Sequence, residues 1–298
     1  MDKQITVRQA RGVFDTLGDT FNYIRVHFKS LSKLVGVYVM APLLAGSLLF
    51  SMALSDMFSG NIDQVLLNQN DPLAIFGLQF IGGFLFLFIT YFMLMGVIYQ
   101  HIYHTGRGEI PEGVSEFSDG MFSKLFRLIP TLLLVGFAFF VLIFLLTLTI
   151  VEITGWLILI YLPLLFFVFI KILLFPIAFF VEDDGAFYSL VRSWELTGGY
   201  FWQTFGVYLL ITIVFGILSQ LLSTPLFLVT SIAGVGLGAD NILLETLFVA
   251  TNTLSFVFQV LFFAAQSIAM GLHYYNLEER KEGHTLGEQI SDLEEGIA

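Results

Sequence analysis

The chain contains no cysteine. Disulfide staples, thiolate zinc sites, cysteine nucleophiles and iron–sulfur ligation are thereby excluded together. Charge is scarce as well: 12% of the 298 residues are Asp, Glu, Lys or Arg, against roughly 25% in a globular domain. With 57% hydrophobic residues and a mean hydropathy of +0.85, most of the surface must meet something other than water, which excludes a soluble enzyme. Only 13 residues are basic and the net charge is −11. Clustered cations for a phosphate backbone are lacking, which argues against nucleic-acid binding. Recognisable catalytic motifs are missing too: no Gly-x-Ser-x-Gly elbow, no Gly-x-x-x-x-Gly-Lys loop and no His-Glu-x-x-His pair occurs. No catalytic residue, metal or cofactor is assigned.

Long uncharged runs fill the space left by those absences. They extend over Leu34–Ser55, Pro72–Gly106, Leu128–Val151, Phe201–Ala239 and Thr246–Leu277, and Trp156–Val181 is interrupted only by Lys171. Each exceeds or matches the ~20 residues that carry a helix across a ~30 Å hydrocarbon core, and period-2 alternation is absent. The sequence therefore predicts an all-α, polytopic bundle of six transmembrane helices, one domain over residues 1–277 followed by a short charged tail, 278–298. Lys and Arg outside the spans fall in the N-terminal segment, in the connections near 107–127 and 182–200, and after residue 277; the other three connections have none. By the positive-inside rule both termini are cytoplasmic, in what reads as a bacterial inner membrane. No apolar core of a cleaved signal peptide precedes the first span.

Amphipathic stretches lie on the same cytoplasmic side. Ala10, Phe14, Leu17, Phe21, Ile24, Phe28 and Leu31 share one helical face, which predicts an interfacial helix. Phe187, Leu190, Val191 and Trp194 form a second stripe, with Asp184 placed to cap its helix and Gly198 to end it. Phe117, Met121, Phe122 and Leu125 make a weaker third. Gly199-Tyr-Phe-Trp-Gln-Thr-Phe-Gly parallels Gly120-Met-Phe-Ser-Lys-Leu-Phe-Arg, and Gly36-Val-Tyr echoes Gly206-Val-Tyr. A threefold repeat of amphipathic helix plus transmembrane hairpin is one reading of these matches; chance similarity among Phe-rich segments is the other. From Thr224 to Asp240, Pro225 and the Gly234-Val-Gly-Leu-Gly run predict that helix does not persist.

Ionisable and amide side chains within the spans are few. Lys171 is the one formal charge, and an intramembrane cation is read either as satisfied by snorkelling and carbonyls or as lining a polar cavity. Pro163 and Pro176 flank it and free backbone carbonyls nearby. Asn252, Gln259, Gln266 and His273 recur every seven residues, which gives a stripe suited to helix packing or, with Lys171 and Gln220, to a hydrated groove. His101 and His104 share a helical face, yet no third ligand stands at a fixed spacing, so ordinary interfacial histidines are the favoured reading. Glu182, Asp183, Asp184, Arg192, Trp194 and Glu195 form a cytoplasmic collar that either sets the depth of the bundle or docks a partner.

The stretch Pro176-Ile-Ala-Phe-Phe-Val-Glu-Asp-Asp-Gly-Ala-Phe-Tyr-Ser-Leu-Val-Arg-Ser-Trp-Glu-Leu-Thr-Gly-Gly-Tyr-Phe-Trp-Gln-Thr-Phe-Gly and the closing His273-Tyr-Tyr-Asn-Leu-Glu-Glu-Arg-Lys-Glu-Gly resemble the membrane domain of the bacterial glycerophosphoryl diester phosphodiesterase family. That resemblance implies a six-helix membrane domain. It implies no hydrolysis here, because in such enzymes the chemistry resides in a separate soluble barrel of roughly 250 residues. The function expected is a non-catalytic scaffold or accessory subunit in protein export or lipid handling, with membrane lipids and other membrane subunits as partners. A transporter or lipid translocator using the cavity around Lys171 is the alternative, and a headgroup-acting enzyme comes third.

Overall fold

The computed structural model describes residues 7–58, 72–108, 117–118, 120–152, 158–182, 185–237 and 242–283. Among them the regular structure is all helix: α1 (Val13–Tyr38), α2 (Met40–Phe58), α3 (Pro72–Gly106), α4 (Met121–Glu152), α5 (Ile158–Ile172), α6 (Phe175–Glu182), α7 (Ala186–Leu196), α8 (Phe201–Leu237) and α9 (Ile242–Glu282). Five stretches are long and apolar enough to cross a membrane: Gly77–Gly106, Met121–Ala138, Tyr161–Glu182, Phe201–Thr224 and Ile242–Glu282. The pair α1 and α2, bent by 59°, brings the total to six if it counts as one. The chain thus has the helices of a multi-pass membrane protein.

Prolines decide where helices break. Pro42 has no N–H for the carbonyl of Tyr38 and crowds it, and Tyr38 is where α1 stops. The first expected span, Leu34–Ser55, is accordingly bent at Val39 rather than continuous. Pro176 acts in the same way on Ile172, the last residue of α5. Pro130 and Pro163 lie inside helices without ending them. The expected loss of helix after Thr224 does not occur, since α8 runs through residue 225 to Leu237. One missing backbone bond costs less there than unwinding an apolar segment whose other peptide groups would lose their partners.

The chain divides into two compact units. Residues 24–98 and 211–267 make one, in which α2 and α3 approach closely through glycines. A Cβ on Gly46 would stand 2.7 Å from the Leu87 backbone nitrogen, and one on Gly83 2.7 Å from that of Phe50. Phe50 also packs on Phe80 and edge-on to Phe256, Tyr91 meets Phe263 edge-on, and Thr253 donates to Ser51. Residues 1–23, 99–210 and 268–298 make the other unit. Its centre is α7, packed on α4, α5 and α6.

Helix α7 is amphipathic, but the side it buries is the hydroxyl side. Ser189, Ser193, Leu196 and Thr197 are buried, while Phe187 is 80% exposed and Tyr188, Val191 and Trp194 are exposed with it. The first part of α1 behaves alike: Thr16, Thr20 and Tyr23 are buried, and Phe14, of the expected stripe, is 77% exposed. In the third amphipathic stretch the order reverses, with Phe117, Met121 and Leu125 buried. Gly185, at φ 94°, precedes helix α7, and no side-chain hydrogen bond caps that end. Asp184, the expected cap, lies outside the described residues together with Asp183. Thr197 closes the helix, followed by Gly199 at φ 83°.

Candidate functional site

The break before Pro176 leaves main-chain groups that α7 satisfies. Ser193 Oγ donates to the Lys171 carbonyl at 2.8 Å and accepts from the Leu174 N–H at 3.2 Å, so one hydroxyl splices both sides of the gap. The Thr197 hydroxyl lies 3.4 Å from the same carbonyl. Lys171 itself is 8% exposed. Its ammonium donates to the Trp194 carbonyl at 3.3 Å and lies 5.3 Å from the Trp194 ring and 5.8 Å from that of Phe167.

A dense set of polar contacts surrounds this splice, built around the last turns of α9. Glu182 accepts from Arg192 Nε at 2.5 Å and from the Tyr274 hydroxyl at 2.6 Å. Arg192 also pairs with Glu282. Burial pulls the Arg192 guanidinium downward, but hydrogen bonds to Glu282 and Glu182 outweigh it and hold the group above its ordinary value. It stays charged at every working pH. Lys281 donates to the Glu195 carbonyl. Collar residues Glu182, Arg192, Trp194 and Glu195 are therefore tied to one another's neighbours, with Glu195 contributing its backbone while its side chain is exposed.

A second knot lies on the N-terminal segment. Asn276 Oδ1 accepts from the Arg11 N–H at 2.7 Å, and the Arg11 carbonyl accepts from Arg280 at 2.8 Å and Gln203 at 3.0 Å. The Arg11 side chain, buried, donates to Asp19 at 2.6 Å and to the Val7 carbonyl at 2.8 Å. His273, fully buried, shares a hydrogen bond with Thr204 at 3.0 Å and one with Asn276 at 3.3 Å. Arg8 stands 3.6 Å from Glu278 and over the Tyr275 ring. Farther along, Lys124 donates to the Phe180 carbonyl and lies over Tyr103, and Tyr23 bonds His101 Nδ1 at 2.6 Å.

The expected cavity residues fall into two groups. Lys171 belongs to the unit of residues 1–23, 99–210 and 268–298, whereas Gln220, Asn252, Gln259 and Gln266 belong to the other. Gln220 lines a groove of about 650 Å³ with Thr212, Gly216 and Thr224, and Gln266 reaches Thr212 at 3.3 Å. Asn252 turns back to the Phe248 carbonyl of its own helix, and Gln259 is exposed. Among the described residues no group of three or more His, Asp or Glu is placed to hold a metal ion; His101 is engaged with Tyr23 and His104 with Gln100.

Sequence reasoning passed over Tyr274, Asn276, Glu278, Arg280 and Glu282 as parts of one site. A signal was there, since the pairs Asn276/Arg280 and Glu278/Glu282 are four apart and share one end of the last span. The helix runs to Glu282, five residues past Leu277, the expected end of the membrane domain. Comparison with known proteins returned no matching family model, no matching curated protein and no matching solved structure.

Proposed function

We propose that the chain is a non-catalytic scaffold or accessory subunit of a bacterial inner-membrane assembly, in protein export or lipid handling. The carrying observation is the way its charged groups are spent. Arg11, Glu182, Arg192, Arg280 and Glu282 bind one another, neighbouring side chains or main-chain carbonyls. Such a clamp joins the segment before α1, α6, α7, the start of α8 and the end of α9. That is the behaviour of a fixture, whose charges hold helices together.

Six crossings with both ends in the cytosol fit the bent α1–α2 pair taken as one span together with the five other candidates. The clamp then lies at the cytoplasmic headgroup level, and the outward aromatic faces, Phe14, Phe187 and Trp202, which is 76% exposed, rest among lipid headgroups or against a partner subunit. Two observations support the internal repeat. The aligned glycines Gly120 and Gly199 both have positive φ, 81° and 83°, just before a helix starts. The aligned Lys124 and Gln203 both donate to a distant main-chain carbonyl. The resemblance to the membrane domain of the glycerophosphodiesterase family fits a bundle without chemistry of its own.

The test is extraction of the chain at native expression level into a mild detergent, followed by native electrophoresis and mass spectrometry. A complex larger than the 33.5 kDa chain in its micelle, holding one membrane protein at constant ratio, is expected. A chain that migrates alone at every detergent concentration overturns the reading.

A further inference from the structure

Two lysines meet at the C-terminal end of α7, and among the described residues neither is paired with a carboxylate. Lys171 donates to the Trp194 carbonyl and Lys281 to the carbonyl of the next residue, Glu195. The two ammonium groups thus sit on consecutive carbonyls of one helix end, like charges side by side. What gathers them is the negative end of a helix, where the Trp194 carbonyl also accepts from the Thr197 hydroxyl at 3.1 Å and the Glu195 carbonyl from the Gly198 N–H at 2.8 Å. Of the described acids, Glu182 and Glu282 are paired with Arg192, and Glu278 with Arg8. An ammonium has three donors, so each lysine retains N–H groups for a further acceptor.

Beside this pair runs a groove of about 390 Å³ lined by Val135, Ala138, Val168, Ile172, Val191 and Trp194. Its volume falls in the range of roughly 300–1,000 Å³ typical of ligand sites. Its walls are apolar, and Trp194 belongs both to the groove and to the lysine pair. We propose that Lys171 and Lys281 hold the phosphate of an anionic glycerophospholipid, one acyl chain of which lies in the groove along Trp194.

The chemistry selects this occupant. A phosphate diester placed between two like charges replaces repulsion by two charge-assisted hydrogen bonds. A headgroup that adds its own cation restores the repulsion, so an anionic lipid is preferred to a zwitterionic one. The groove rewards an alkyl chain and offers a free inorganic ion nothing. This inference rests on the membrane reading above but not on the presence of a partner subunit.

The full chain, purified in detergent, is titrated with phosphatidylglycerol and with phosphatidylcholine of matched acyl chains, and bound lipid is read by native mass spectrometry. One phosphatidylglycerol retained in preference to phosphatidylcholine is expected. In K171Q/K281Q that preference falls roughly tenfold, as loss of charge-assisted bonds implies, while K171R/K281R keeps it. K281Q, at an exposed position, is measured alone because it leaves the buried site intact, and it lowers the preference too. A138W, which fills the groove, loses both lipids, and saturating inorganic phosphate displaces none from the native chain. Equal retention of the two lipids, a preference that survives both Gln variants, binding untouched by A138W, or displacement by inorganic phosphate each overturns the proposal. Those results would leave the scaffold reading standing, since that is judged by the co-purified subunit.

Discussion

Ser193 shows how much a single side chain can settle. It touches both ends of a broken helix, accepting from Leu174 N–H and donating to the Lys171 carbonyl, in a fully buried position. Removing its oxygen strands a buried donor and leaves that carbonyl with only the 3.4 Å Thr197 contact, a loss of about 1–3 kcal/mol. Ser193→Ala should therefore unfold at markedly lower temperature or denaturant in detergent, followed by helical circular dichroism. Ser189→Ala is the control, because the Ser189 hydroxyl only doubles the bond to Gly185 within its own helix, and its effect should stay within about 0.5 kcal/mol. Equal losses in the two variants would mean that α7 is held by its surface alone. From sequence, Pro176 announced the break, but nothing announced the repair. Which hydroxyl faces a gap depends on tertiary placement, and Ser193 sits on the polar side of a stripe that was read for its apolar side.

At the scale of the helix, amphipathicity was legible and its direction was not. The stripes Phe187–Trp194 and Phe14–Phe28 are real, but a periodic pattern only says that two faces differ. In an apolar surrounding the aromatic face can turn outward while Ser, Thr and Tyr hydroxyls turn in to bond their neighbours. Span positions were likewise legible from composition, whereas the bend at Val39 followed from Pro42, a residue hidden inside an uninterrupted apolar run. The packing of α2 on α3 rests on Gly46 and Gly83, whose missing side chains admit the backbone of Leu87 and Phe50 at distances no Cβ tolerates. Gly83→Val should force the helices apart, at a cost of roughly 1–3 kcal/mol from overpacking. Gly77→Val, with no heavy atom near its would-be Cβ, should be close to neutral. Thermal melts of the two variants in the same detergent separate helix approach from a general intolerance of bulk.

For the whole molecule, the ruling asymmetry is that Lys and Arg outside the spans are confined to alternate connections. Anionic lipids and the membrane potential retain such groups in the cytosol, each basic residue resisting translocation more strongly than an acidic one. The absence of cysteine makes the consequence directly measurable, because any thiol introduced is the only one present. Single substitutions Asn61→Cys and Ala239→Cys, in connections free of Lys and Arg, should react in intact cells with a maleimide that cannot cross the membrane. Ser118→Cys and Gly283→Cys should react only after the cells are opened. Labelling of Gly283→Cys from outside while Ser118→Cys stays protected would put an odd number of crossings between those two positions, against the four expected there. The clamp built on Arg11, Asn276 and Arg280 supplies an independent constraint on that answer. It bonds the segment before α1 to the last turns of α9, so thiols placed in these two segments are expected to label from the same side of the membrane. The hydrogen bonds and the charge distribution thus predict the same outcome, an even count of crossings.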